Sequence, residues 1–302
     1  MRFLLAAEVR KLARPLVWGT GLAIAMFCVL ITVGAANNAR GGETSPRIPD
    51  ICARAATPAC AQVVARAHTA AFAAAQAASR LAQPGQVGHI AAGMLASLPG
   101  LLLIALVAGG HWGGEWGSRT IRSLLAREGR RTRVLVAKWI TVWAVGLATL
   151  LACWLVLAIA GLVAAAASGL PDPGTSLWAG LGSSLASAGH AVIVLGLFAA
   201  VAIAAGTIAR GQLATTAITA GSMLIALLVA GIASVGQWSP ASFVQAWMGF
   251  SANGYLPTNF WSRFLSSSGP QLGAVAGLVG IAATGLVAAG IARWRFAADV
   301  TV

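Results

Sequence analysis

Few residues of this chain have the types and spacing that catalysis requires. The sequence contains no H-E-x-x-H, no C-x-x-C and no G-x-x-x-x-G-K-[ST], so it lacks the common zinc-protease, dithiol and phosphate-binding motifs. Ser183 and His190 suggest an intramembrane serine hydrolase, but both fall on one predicted segment and no G-x-S-G is present. The four histidines lack metal-ligand spacing. We therefore predict a non-enzyme that binds no metal or cofactor directly.

A basic connector, residues 115–133, lies between two apolar runs and is the segment most informative about function. Ser118 or Thr120 can cap the start of a helix, and Gly129 suits its end. Apolar residues recur at helical spacing between flanking arginines: Ile121, Leu124 and Leu125 beside Arg119, Arg122 and Arg127. This pattern predicts a short amphipathic helix that lies on the membrane surface or in a partner's groove. A solvated basic loop is the alternative.

The composition is that of a membrane protein. Mean hydropathy is +0.82, and only 9% of the 302 residues are charged, which leaves too little polar surface for a soluble chain of this length. The net charge of +13 comes from basic residues clustered beside apolar runs. That distribution is typical of cytoplasmic loops facing anionic lipids, so we expect contacts with membrane lipids and no nucleic acid.

Six apolar runs are each long enough to cross a bilayer. They cover residues 16–36, 92–112, 138–167, 185–209, 213–236 and 272–292, and none contains Asp or Glu. With six spans, 14 of the 20 Lys and Arg residues fall on the side that carries both termini. That side is predicted to be cytoplasmic. The fold class is therefore an all-α polytopic membrane protein, with 1–302 forming a single transmembrane domain.

The first predicted outer loop, residues 37–91, is large. Its Ala-rich part, 59–81, favours a helix. Cys52 and Cys60 lie in this loop, in what should be an oxidising compartment, which makes a disulfide plausible. The alternative is a pair of free thiols.

The second outer loop, residues 237–271, is too aromatic for a solvated linker and too interrupted by Gly and Pro for a span. We expect it to be interfacial or re-entrant. Its Phe243, Trp247 and Phe250, together with His190, are candidates to line a pathway, because His190 is ionisable and near the middle of a span. A neutral, hydrogen-bonded imidazole is the alternative for His190.

The connector resembles the corresponding segment of the permease subunit of type-2 ABC exporters. The resemblance rests on residues 115–125, on the basic turn after them and on residues 133–139, with Lys138 opening the third span. This chain has Ser118-Arg119-Thr120 where a Gly-Thr pair is commoner in that family. Weaker similarity extends over all six spans and a basic amphipathic helix in residues 1–15 at the inner interface.

The resemblance implies that the connector is a coupling helix seated in a separate ABC ATP-binding subunit, which would bind ATP and Mg²⁺. The coupling residues would be Glu115, Ser118, Arg119, Thr120, Ile121, Arg122, Leu124 and Leu125. Two permeases, identical or related, and two ATPases would form the transporter.

We therefore expect an ATP-driven exporter of a hydrophobic or amphipathic substrate, drug-, lipid- or peptide-like. The missing acidic residues in the spans disfavour a proton- or cation-coupled carrier. Richness in Ala, Gly and Arg with scarce Lys indicates a bacterial plasma membrane. The rival interpretation is a non-transporting scaffold or sensor whose outer loop 37–91 binds a ligand or partner.

Overall fold

A computed structural model gives the structure of this chain in ten ranges. The described residues are 19–27, 29–30, 33–34, 58–81, 87–118, 120–127, 130–168, 177–230, 235–249 and 272–298. No strand occurs among them. Every regular element in these ranges is helical.

Ten helices in the described ranges are numbered here in chain order. They are α1 (Pro58–Leu81), α2 (Val87–Leu95), α3 (Leu98–Ala108), α4 (Gly114–Gly117), α5 (Thr120–Arg127), α6 (Arg131–Ser168), α7 (Leu177–Ala209), α8 (Gln212–Ala230), α9 (Pro240–Met248) and α10 (Ala274–Ala298). A π-helical turn, Gly109–Gly113, joins α3 to α4, and a 3₁₀ turn, Gly236–Trp238, precedes α9. Helix α1 confirms the helix expected from the Ala-rich stretch.

Four of these helices are long and apolar enough to cross a membrane. Their spanning parts are Arg131–Val163, Gly180–Ala209, Gln212–Ala230 and Ala274–Ala298, and a bent pair, Val87–Leu95 with Leu98–Gly117, makes a fifth if it is one span. These helices confirm the prediction of an all-α membrane protein with several spans. The first expected span, 16–36, is described in part, and its described residues, 19–27, 29–30 and 33–34, are all helical. Six spans and cytoplasmic termini stay predictions.

The bent second span differs from the sequence expectation of an uninterrupted run from 92 to 112. It starts at Val87, breaks at Ala96–Ser97 with a bend of 53°, and continues to Gly117. Pro99 sits in the first turn after the break, where its missing N–H removes no helical hydrogen bond. The extension to Gly117 places Glu115 within the helical segment. Glu115 therefore lies three residues beyond the predicted span 92–112, in the last turn of the bent helix pair.

The chain divides into two compact units. One contains Met1–Ile24, Ala92–Leu151 and Ala186–Val302, and the other contains Ala25–Ala91 and Ala152–Leu185. Helices α6 and α7 contribute residues to both units. In the smaller unit, Gly88 lies so close to Ser184 that an added Cβ would overlap it. The connector, the sites described below and most of the spans belong to the larger unit.

Small residues let α3 and its π-helical turn lie directly against α8. A Cβ added at Gly113 would lie 2.6 Å from Oγ1 of Thr215, and one at Gly109 would overlap Thr216. The Thr216 hydroxyl also donates a 3.3 Å hydrogen bond to the Ala105 carbonyl on α3. Glycines spaced four apart allow such close approach of helix backbones. This contact fixes the segment that leads into the connector.

The described part of the aromatic segment 237–271 contains a well-capped short helix. Helix α9 begins after Ser239, whose hydroxyl accepts a hydrogen bond from the Ser242 N–H, and ends at Gly249 in the left-handed conformation. It packs tightly on α10, where a Cβ at Gly280 would overlap the Phe243 ring. The helix is too short to span a membrane. Residues 250–271 lie outside the described ranges.

Candidate coupling site

The connector begins as a tight continuation of the second span. Helix α4 ends at Gly117, and α5 starts three residues later. The Ser118 hydroxyl donates to the Gly114 carbonyl at 2.9 Å and lies 3.1 Å from the Thr120 hydroxyl. Thr120 in turn donates to the Glu115 carbonyl at 3.4 Å. Both hydroxyls thus tie the start of α5 to the last turn of the span.

A buried ion pair joins the two sides of the connector. Nζ of Lys138, on α6, donates a 2.6 Å hydrogen bond to Oε1 of Glu115, on α4. The two side chains are only 1% and 7% exposed. The same Nζ lies 3.4 Å from Nε2 of His111, one turn before Glu115. Residues 23 positions apart in sequence are therefore held together at the base of the connector.

Because the Glu115–Lys138 pair is buried, it affects the position of the connector more than the stability of the protein. Removing one partner of a buried ion pair leaves an uncompensated charge and typically costs about 3–5 kcal/mol. Replacing both partners with apolar side chains is often neutral, so the net stabilisation by the intact pair is small. Its main consequence is geometric. Any displacement of the second span relative to α6 has to move, or break, the contact between Glu115 and Lys138.

An aromatic cluster lies beside the pair and includes a ring from α10. Trp112 and Trp116 meet edge to face at 5.9 Å, and the Phe296 ring lies 5.7 Å from Trp112 and 6.1 Å from Trp116. Lys138 lies 5.8 Å from the centre of the Trp112 ring. Arg210 lies in the turn between α7 and α8, and its guanidinium is 5.6 Å from the centre of the Trp116 ring. Elements from four parts of the chain thus converge beside the connector.

The expected coupling residues divide into buried and exposed positions. Glu115 is in the ion pair, and Ile121 is only 3% exposed, which places it against this chain. Ser118 and Thr120 are exposed and Leu125 is half-buried. Arg119 and the side chains of Arg122 and Leu124 lie outside what the structure describes. Two further residues of α5, Ser123 and Ala126, are exposed.

The sequence interpretation missed most of the residues that hold the connector. The sequence pattern predicts Lys138 only as the start of a span and predicts no role for His111, Trp112, Trp116 or Phe296. The sequence does single out Lys138, because it is one of only two lysines in the chain and directly precedes a long apolar run. A lysine there needs a partner. Spacing alone does not show that the partner is Glu115.

The predicted pathway residues lie apart from the connector. The His190 and Trp247 rings pack at 4.3 Å between centroids, and the Trp247 indole N–H donates to the His190 carbonyl at 3.1 Å. Phe243 packs on Gly280 of α10. Phe250 lies outside the described residues. These contacts join α7, α9 and α10, and the role of the residues in a pathway stays a prediction.

Two cysteines lie within the described residues, and one of them belongs to the predicted first outer loop. Cys60, on α1, is disulfide-bonded, and Cys153 is fully buried on α6. Cys52 lies outside the described residues. The pairing of Cys52 with Cys60 therefore stays a prediction.

No family model, curated protein or solved structure matches this chain.

Proposed function

We propose that this chain is the transmembrane subunit of an ATP-driven exporter and that its connector docks on a separate ATP-binding subunit. The observation that carries the proposal is the connector itself. A short helix, α5, is fastened at its base by the Glu115–Lys138 pair and by the Trp112, Trp116 and Phe296 rings. A solvated loop has no need of such an anchor. The family resemblance of residues 115–139 supports the same function.

The contacts at the base of α5 link the connector mechanically to the spans. Helix α5 is continuous in space with the second span through α4 and with α6 through the ion pair. A force applied to α5 is therefore transmitted to two spans at once. ATP binding can bias such a transporter only if the docked helix makes different contacts in the two nucleotide states of the ATPase. ATP and Mg²⁺ belong to that partner, and a second permease, identical or related, would complete the complex.

The docking face is assigned to the exposed side of α5. Because Ile121 is buried within this chain, it serves as an anchor, and substituting it would damage the permease itself. Thr120, Ser123 and Ala126 are exposed at a spacing of three residues and so lie along one side of the helix. That side is free to enter a groove on a partner.

Co-purification tests the proposal. The permease is co-expressed with candidate ABC ATP-binding subunits, and the wild type is compared with Ser123→Glu plus Ala126→Glu. Two carboxylates buried in a docking groove without partners should abolish the complex. Ala297→Glu, at an exposed position near the end of α10, is the control and should leave the complex intact. The same ATPase bound equally by all three proteins, or by none, would contradict the proposal.

A proton-coupled carrier is the second candidate, and the burial of Glu115 favours it. The carboxylate lies inside a helical segment, beside a lysine and a histidine, and buried ionisable groups in spans are typical of proton relays. Transport by the purified protein alone, driven by a proton gradient, would support this candidate over the exporter. The scaffold interpretation is tested by deleting residues 40–86, which ends before α2 begins at Val87. The deletion should abolish the function of a scaffold but leave the ATP-driven turnover of an exporter.

A further inference from the structure

A lateral groove between three helices of the larger unit is separate from the coupling site. It has a volume of about 670 Å³ and is bounded by α6, α7 and α10. Its wall is formed by aliphatic side chains, by the small residues Gly196 and Gly285, and by the Trp139 ring. The Trp139 indole N–H is already bonded to the Gly196 carbonyl at 3.0 Å. The body of the groove therefore offers an apolar surface.

Polar groups are confined to one end of the groove. Thr132, in the first turn of α6, and Arg293, in the last turns of α10, line that end. Arg131 donates a 3.2 Å hydrogen bond to the Ala297 carbonyl, which holds these two helix ends together. A ligand that fits this groove has an apolar body and one polar end.

The charge at that end selects an anion. Arg293 is exposed and has no hydrogen-bond or ion-pair partner among the described residues. Glu115 is the only Asp or Glu within the described ranges, and it is paired with Lys138. No described carboxylate therefore neutralises Arg293. A phosphate group would be its natural partner.

The length of the groove matches one leaflet of a bilayer. Along α10 its lining extends from Ile281 to Arg293, which corresponds to about 18 Å at the rise of an α-helix. The hydrocarbon core of a bilayer is about 30 Å thick, so one leaflet contributes about half of that. Apolar ligand pockets commonly have volumes of about 300–1,000 Å³.

We propose that this groove holds an acyl chain of an anionic phospholipid from the surrounding bilayer, with the lipid phosphate on Arg293. The orientation predicted from the basic residues places Arg293 at the cytoplasmic face, where anionic headgroups attract basic side chains. The site does not depend on an ATPase or on export. It would fix α10 against α6 and α7 and make the packing of these spans sensitive to the lipid composition.

Photoactivatable lipids test the proposal on the full-length purified chain. Nanodiscs of phosphatidylcholine receive a minor fraction of phosphatidylglycerol with a diazirine on its acyl chain, or the same probe with a choline headgroup. Labelled peptides of α6, α7 and α10 are quantified by mass spectrometry. The anionic probe should label them about fivefold more than the choline probe, as expected for one arginine at an anionic surface. Arg293→Gln should remove this preference, whereas Arg293→Lys should retain it.

Two matched controls separate the groove from the general membrane surface. Arg295 is two residues further along α10, packs on the Trp294 ring and does not line the groove, so Arg295→Gln should keep the preference. Gly285 lines the groove and has its nearest neighbour, Leu197 Cδ1, 3.9 Å from an added Cβ. Gly285→Phe should therefore reduce labelling by both probes. Gly290→Phe, with open space around it, should not.

Two outcomes would overturn the proposal. Equal labelling by both headgroups, unchanged in Arg293→Gln, would mean that the groove meets only unselected lipid. Labelling of other membrane-facing peptides with no label on the groove residues of α6, α7 and α10, from either probe, would mean that the groove holds no lipid chain.

Discussion

Nζ of Lys138 lies 2.6 Å from Oε1 of Glu115, and both side chains are buried. The pair connects the last turn of the second span to α6, on the two sides of the connector. Because of this contact, the position of the connector depends on the second span and on α6 together.

The first prediction concerns the energetics of this pair. Glu115→Ala should lower the free energy of unfolding by about 3–5 kcal/mol, because Lys138 is left buried without its counter-charge. The double variant Glu115→Ala plus Lys138→Met should recover part of that loss, because two apolar side chains leave no buried charge without a partner. The single variant Lys138→Met completes the cycle, and SDS titration of the purified proteins measures all three losses. Losses that simply add in the double variant would show that the two residues do not interact.

The second prediction concerns the close contact between α7 and the π-helical turn. A Cβ at Gly206 would overlap Cδ1 of the fully buried Trp112. Gly206→Ala should therefore destabilise the protein by about 1–3 kcal/mol, as overpacking usually does, and Trp112→Phe should partly rescue it. Thermal unfolding gives the comparison.

The control for Gly206 is Gly221, on α8, which has nothing within 4 Å of an added Cβ. Gly221→Ala should be neutral or stabilise the helix by up to about 1 kcal/mol, because alanine loses less conformational entropy in a helix. An equal loss of stability in both variants would indicate that the destabilisation at Gly206 does not arise from Trp112.

The third prediction concerns the turn between α7 and α8. Arg210 has φ of 52°, in the left-handed region that glycine usually occupies at a helix end, and its guanidinium packs over the Trp116 ring. Both Arg210→Ala and Arg210→Gly lose the cation–π contact, but only glycine relieves the backbone. Arg210→Gly should therefore be more stable than Arg210→Ala by about 1–2 kcal/mol. Equal midpoints of chemical unfolding would show that this residue adopts another backbone conformation.

The fourth prediction concerns the disulfide formed by Cys60. Digestion without reductant should yield a peptide in which Cys60 is linked to Cys52, the nearest cysteine in sequence. Cys52→Ser and Cys60→Ser should then lower stability equally, by about 2–4 kcal/mol. A linkage of Cys60 to Cys28 in the mass spectrum would disprove the pairing.

Hydropathy and basic-residue clusters were sufficient to predict an all-α, multi-pass membrane protein, because long apolar runs satisfy their backbone groups as helices. They did not predict the break at Ser97 or the π-helical turn, since neither changes the apolar character of the run. The sequence also predicts that the connector is amphipathic. A row of apolar residues on a helix does not show, however, whether this chain or a partner covers that row. Ile121 was therefore expected at a docking face, whereas it is buried within the chain.

The contacts of the candidate site were the least predictable part. Glu115 and Lys138 are 23 residues apart, and nothing in local spacing links them. Phe296 joins Trp112 and Trp116 from the other end of the chain. Such contacts depend on how helices pack, and in a chain rich in Gly and Ala many packings satisfy the same sequence pattern.

Site-specific photo-crosslinking tests the central claim most directly. A photoreactive phenylalanine analogue replaces Ser123 on the exposed side of α5 or, as the control, the exposed Ala297 on α10, in cells that co-express candidate ABC ATP-binding subunits. The account predicts a cross-link from position 123 to one ATP-binding subunit, altered in yield by a non-hydrolysable ATP analogue, and none from position 297. Cross-links from position 123 to lipid alone would contradict it and identify the connector as a helix on the membrane surface.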